Sequence, residues 1–184
     1  IPTMEVYYQL ALTFGNRGKY MSAVLAFHEA LKLAPNDSEI KYQLGVAYKE
    51  LGIYYKAATY FEEYIFHHSE DAIAFFLLGI CYLEMDDYPA ALLAFQRSNI
   101  LSPRDYKTLY NIGRCYLGLE EDADAARKFR EALKINPESP DIYYVLGHSY
   151  YKLNKKKKTK EILDILYMLD RELYDRLSML VSER

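Results

Sequence analysis

The chain has 184 residues, 51% of them hydrophobic and 27% charged, with a formal net charge of -3. That balance suits one domain or one continuous repeat array, and the scarcity of Pro and Gly excludes a linker or a disordered tail. The acidic balance gives no global attraction to nucleic acid or to an anionic membrane, and no apolar run approaches the roughly 20 residues of a membrane-spanning helix.

Taken in chain order, the sequence reads as five units of one length. Gly45, Gly79, Gly113 and Gly147 recur every 34 residues, and Tyr48, Tyr82, Tyr116 and Tyr150 follow three residues after each. One step back, the same places hold Ala11 and Phe14. The units fall at about 4–37, 38–71, 72–105, 106–139 and 140–173. In the first four, Ala23, Ala57, Ala91 and Ala125 are each followed four residues later by Phe27, Phe61, Phe95 and Phe129. Pro35, Pro103 and Pro137 close three units, whereas the second ends in His68-Ser69, which predicts a looser exit. The fourth unit shows the logic: Leu109, Ile112 and Tyr116 make one apolar stripe on a helix from about Tyr106 to Leu119. A second helix, from about Ala123 to Ile135, places Ala125, Phe129, Ala132 and Leu133 on its inner face. Small residues let the helices approach, large rings fill the grooves, and Pro137 ends the pair. In the fifth unit Thr159, Leu163 and Leu166 replace the small-aromatic-small set, as in a degenerate cap.

The third unit, with Phe75, Leu78, Gly79, Tyr82, Ala91, Phe95 and Pro103, resembles the tetratricopeptide-repeat (TPR) pattern, and the other units repeat it in register. The first motif position holds Tyr7, Lys41, Phe75, Leu109 and Tyr143 and never Trp; Lys41 is expected at the surface with Tyr42 covering its place. The resemblance implies an all-α, right-handed superhelical solenoid of antiparallel helix pairs over residues 1–173, with a C-terminal capping helix. One unit cannot bury enough surface alone, so stability is expected to lie between neighbours. After Lys160, Ile162, Leu166, Leu169, Leu173, Leu177 and Leu180 keep helical spacing with no Pro or Gly among them. This predicts one long helix within 157–184, or two with a slight kink near Asp170. Its stripe either covers the last unit or offers a seam for a homo-oligomer.

In TPR solenoids the first helices line the concave side, so residues one place after each leading position form an aromatic ladder: Tyr8, Tyr42, Phe76, Tyr110 and Tyr144. Such rings equally serve packing. Gln9, Gln43 and Asn111 stand beside them as donors for a peptide backbone, and Ile73, Leu77, Ile80 and Leu83 make the middle stretch apolar. Arg114 and His148 add positive or titratable groups. The expected partner is a protein or peptide, as an extended segment or an amphipathic helix, and no cofactor is implied. Some TPR domains clamp a C-terminal carboxylate with Lys, Asn and Arg; here Tyr8, Leu12, Gln43, Ile73 and Leu77 hold those places, so that clamp is absent.

Other signals carry less. Cys81 and Cys115 occupy a slot that wants a small buried residue, and the four histidines lack metal-ligand pairing. The run Lys155–Lys158, with Lys152 and Lys160, is a solvated turn or a contact for an acidic partner, RNA or a membrane surface; nucleic acid is disfavoured by the overall charge. Gly15-Asn16-Arg17-Gly18 is a helix-to-helix turn rather than a phosphate loop, and no nucleophile has a credible base, so an enzyme is not expected.

Overall fold

Aspartate and hydroxyl side chains set where the first helix of each pair begins. Thr3, Asp37, Asp71, Asp105 and Ser139 are the N-cap residues, one per repeat. All but Ser139 accept backbone N–H bonds from the first turn. These bonds satisfy donors that a helix start would otherwise leave unpaired. A computed structural model describes residues 2–182, all helix and connecting turn. It falls into two compact units that divide between Leu101 and Ser102.

The first unit holds three helix pairs: α1 (Met4–Asn16) with α2 (Tyr20–Leu33), α3 (Ser38–Glu50) with α4 (Tyr54–Ile65), and α5 (Ala72–Glu84) with α6 (Tyr88–Leu101). Each pair also packs on the next through α2 against α3 and α4 against α5. The second unit holds α7 (Tyr106–Gly118) with α8 (Asp122–Ile135) and α9 (Pro140–Lys152) with α10 (Lys156–Leu169), and ends in α11 (Arg171–Ser182). The alternating helix pairs are the paired, antiparallel α-architecture expected from the repeat. Its core is the signature set itself: Ala23, Ala57, Ala91 and Ala125 are fully buried, as are Phe61, Phe95 and Phe129, with Phe27 nearly so.

The turn inside each pair also repeats. Gly18, Gly52, Asp86, Glu120 and Asn154 all have positive φ, at the 34-residue step. Glycine takes this left-handed conformation freely, whereas Asp86 and Glu120 hold it at a cost.

Three expectations are refined. Of the two readings of the C-terminal stretch, the two-helix one holds through residue 182, with a full break in place of a slight kink: Asp170 is extended (φ -155, ψ 107) and its carboxylate accepts the N–H of Leu173 at 3.0 Å, starting α11 afresh. α11 packs back on both α9 and α10, with Leu177 fully buried and Leu173 and Leu180 packed in the same core. Most of the apolar stripe therefore covers the last repeat, as a cap, while Leu169 stays exposed. The exit of the second repeat is not loose: His68 stacks on Tyr64 at 4.2 Å and hydrogen-bonds Ser38 Oγ at 2.9 Å. Lys41 is half-buried and forms an ion pair with Glu63 at 2.6 Å.

Candidate functional site

The ladder rings are braced by the core rather than free. Tyr8, Tyr42 and Phe76 each stand edge-on to the buried ring of the paired helix, Phe27, Phe61 and Phe95, at 5.8, 5.8 and 5.6 Å between centroids. Within the second unit Tyr110 tilts against Phe129 at 5.9 Å. Tyr144 has no such phenylalanine, because Leu163 occupies that register position; instead the Arg176 guanidinium of α11 lies 5.0 Å over its ring. All five are half-buried, so each has one edge in the core and one outward. The packing reading of the ladder thus holds for these rings, and each leaves part of its surface outward.

In the first unit, α1 and α3 share one niche of about 210 Å³ between Leu12, Gly15, Gln43 and Val46. α3 and α5 share another of about 550 Å³ that brings Ile80 and Glu84 beside Lys49 and Glu50. The first helices therefore present a common side there. Along α5, Ile73 is 65% exposed, while Phe76, Leu77 and Ile80 are half-buried. Leu83, expected in the same exposed run, is buried instead, about 60° round the helix from Ile80. α5 carries no charged residue before Glu84, so it is apolar on the face turned to solvent as well as on its core face.

Electrostatics give this side an acidic edge that the motif did not announce. Burial raises the phenol pKa of Tyr8 above its ordinary value, with added push from Glu39, Asp37 and Glu5. Tyr42 is raised by burial and then by Asp71 and Glu39. The same glutamates hold the neighbouring amides: Gln9 Nε2 donates to Glu5 at 2.8 Å and Gln43 Nε2 to Glu39 at 3.0 Å. The i,i+4 Glu–Gln spacing was the signal that could have found them. Both glutamines can still accept a bond through the carboxamide oxygen.

The second unit is different. Asn111 is only 5% exposed; its Nδ2 donates to Lys107 O at 3.0 Å and its Oδ1 accepts from Arg114 at 3.3 Å. Its amide is thus turned into the helix rather than offered to a peptide, as the sequence had suggested. His148 is half-buried, and burial followed by Lys152 lowers its pKa. Cys81 and Cys115 are free and fully buried, with thiols pushed up to about 12 by burial. Among the described residues no group of His, Cys, Asp and Glu could hold a metal ion, and no helix is long and apolar enough to cross a membrane.

Comparison with known proteins agrees with this architecture. A tetratricopeptide-repeat family model matches residues 8–66 and 48–106, a second matches 140–171, and a TPR-repeat model matches 113–154. Among solved structures, MamA 41-end from Desulfovibrio magneticus RS-1 is 24% identical, with 92% of this chain and 96% of that chain covered and a TM-score of 0.87. YrrB, described as a TPR protein with an unusual peptide-binding site, is 22% identical over 95% of this chain and 91% of its own, with a TM-score of 0.84. At these identities the likeness is one of fold. No curated protein matches the chain.

Proposed function

The chain belongs to the tetratricopeptide-repeat family, and on that premise we propose that it is a protein-interaction scaffold whose first-helix side in the first unit binds a peptide or an amphipathic helix. The observation that carries this is α5, where an exposed Ile73 continues into half-buried Phe76, Leu77 and Ile80 with no charge between them. Contiguous apolar surface of this kind on a soluble protein marks a contact. Tyr8 and Tyr42 add rigid rings already held by the core, which lose little entropy when a partner lands on them. Gln43 supplies a carboxamide fixed by Glu39. The peptide site that YrrB is described as carrying is consistent with such a use of this fold. Tyr110, Arg114 and Tyr144 are proposed as a secondary contact on the second unit.

The test is selection from a random-peptide display library, followed by fluorescence polarisation with the winning peptides. Ile73→Glu and Ile80→Glu place charge on the apolar surface at positions that are exposed or half-exposed, so the fold survives. Wild type should enrich apolar sequences that both variants bind at least about tenfold more weakly. Equal binding by wild type and variants would sink the assignment.

A further inference from the structure

The last repeat holds a cavity of about 650 Å³ where the end of α9, the start of α10 and the end of α11 meet. Its apolar walls are Tyr151, Leu163 and Val181, and Thr159 forms its floor. Lys156 and Lys160, one helical turn apart on α10, stand at its rim with Asn154. The corresponding niche in the first repeat measures about 210 Å³, and there Phe27 and Tyr20 line it at the register positions of Leu163 and Lys156. The fifth repeat thus places a leucine where the other four carry a phenylalanine ring, and a cation where the first carries a tyrosine.

Neither Lys156 nor Lys160 forms an ion pair with any described residue, although Glu161 and Asp164 lie on the same helix. Two other lysines of the run, Lys155 and Lys158, lie over the Tyr150 ring at 6.0 and 5.2 Å. Two unpaired ammonium groups over an apolar chamber of ligand size select one chemistry, an anionic head on an apolar body.

We infer that this cavity binds an apolar carboxylate, with Lys156 and Lys160 holding the carboxylate and Tyr151, Leu163 and Val181 enclosing the body. The group can be presented by a free aliphatic acid or by the last residue of a peptide ending in an aliphatic side chain. The site is separate from the first-helix side of the first unit and does not depend on the peptide reading given above.

Isothermal titration of the full chain tests it with octanoate and with an acetylated tetrapeptide ending in leucine, as the free acid and as the amide. At least one free acid should bind with a Kd of about 1 mM or tighter, and the amide should not. Octanoate alone would mark a small-molecule site, and the peptide acid alone a peptide-terminus site. The double variant Lys156→Gln/Lys160→Gln should weaken binding at least about tenfold, with Lys157→Gln as the control that leaves it unchanged. Leu163→Phe restores the ring of the other repeats and should abolish binding while helicity is kept. Absence of saturable binding by either acid overturns the inference, as does binding that survives the double lysine variant. If Leu163→Phe fails to fold, the lysine pair alone decides.

Discussion

Replacing Gly113 by alanine and Gly147 by alanine makes the same chemical change at the same repeat position, yet the two should differ sharply in cost. A Cβ on Gly113 would lie 2.4 Å from Phe129 Cε1 and 2.8 Å from Cδ1 and Cζ, about 0.6 to 1 Å inside ordinary contact. Phe129 is fully buried and faces Tyr110 on its outer side, so the ring has nowhere to go. Overpacking of this sort costs about 1–3 kcal/mol, against which alanine recovers about 1 kcal/mol of helix propensity. At Gly147 the first obstacle is Leu177 Cδ2 at 2.5 Å, the far end of a flexible side chain on the terminal helix, followed by Ile162 Cγ2 at 2.9 Å. Leu177 is buried too, but it sits on the terminal helix, which packs mainly on α9 and α10, so α11 can shift and the propensity gain should cancel most of the cost. Native-state hydrogen exchange resolved by helix is the right assay, since a stack of repeats does not unfold as one cooperative block. With the ring held in place, the α7 and α8 amides should lose up to about 2 kcal/mol of protection in Gly113→Ala, and the α9 amides less than about 0.5 kcal/mol in Gly147→Ala. Equal losses in the two variants would refute the argument that the ring, rather than the glycine itself, sets the constraint.

Three further outcomes follow from the same geometry. Glu120 holds φ 61 in an exposed turn, so Glu120→Gly should stabilise by about 0.5 kcal/mol in thermal melts; Gly52→Ala, at φ 72 in open space, should cost about 1 kcal/mol through conformation alone. Because the Cys81 and Cys115 thiols are buried and raised to about 12, a thiol reagent at mildly alkaline pH should label neither until denaturant is added. Immediate labelling would mean that the helix pairs open locally. The His28 imidazole, bonded to Tyr48 Oη at 2.9 Å, has its pKa lowered by burial and then by Lys56 and Lys32. The unfolded chain therefore binds the proton more readily, and His28 contributes stability above about pH 6.5 that is lost as the pH falls through that value. Melting points at about pH 7.5 and pH 5.5 should differ less in His28→Gln than in wild type.

The fold was legible because every structural demand of the helix pair fell on residue types that few others can replace. Alanine beside phenylalanine, and glycine beneath the ring, repeat at a fixed step that no insertion interrupts. What was not legible lay where a demand can be met in several ways. The left-handed turn position is glycine in the first two repeats but Asp86, Glu120 and Asn154 later, and no sequence rule marks a glutamate as left-handed. Asp170 likewise has two readings, a surface residue in a continuous stripe or the cap of a new helix. Register could have separated them, since Leu177 stands one repeat after Tyr143 and so occupies the leading position of a first helix.

The candidate sites obey the opposite rule from the core. Where the repeat keeps its signature, the ring and small-residue core is chemically uniform; where it departs, new surface chemistry becomes available. α5 departs by being apolar on its outward face as well, which leaves Ile73 in solvent. The fifth repeat departs by losing a ring at Leu163 and gaining ammonium groups at Lys156 and Lys160, which opens a chamber with a charged rim. Stability selects sameness at the signature positions, because each unit must fit its neighbour. Recognition requires difference, because a partner must find one place along a stack of near-identical parts. The positions at which this chain breaks its own period are therefore where binding is to be sought. Restoring the period there, as Leu163→Phe does, should strengthen packing and remove function together.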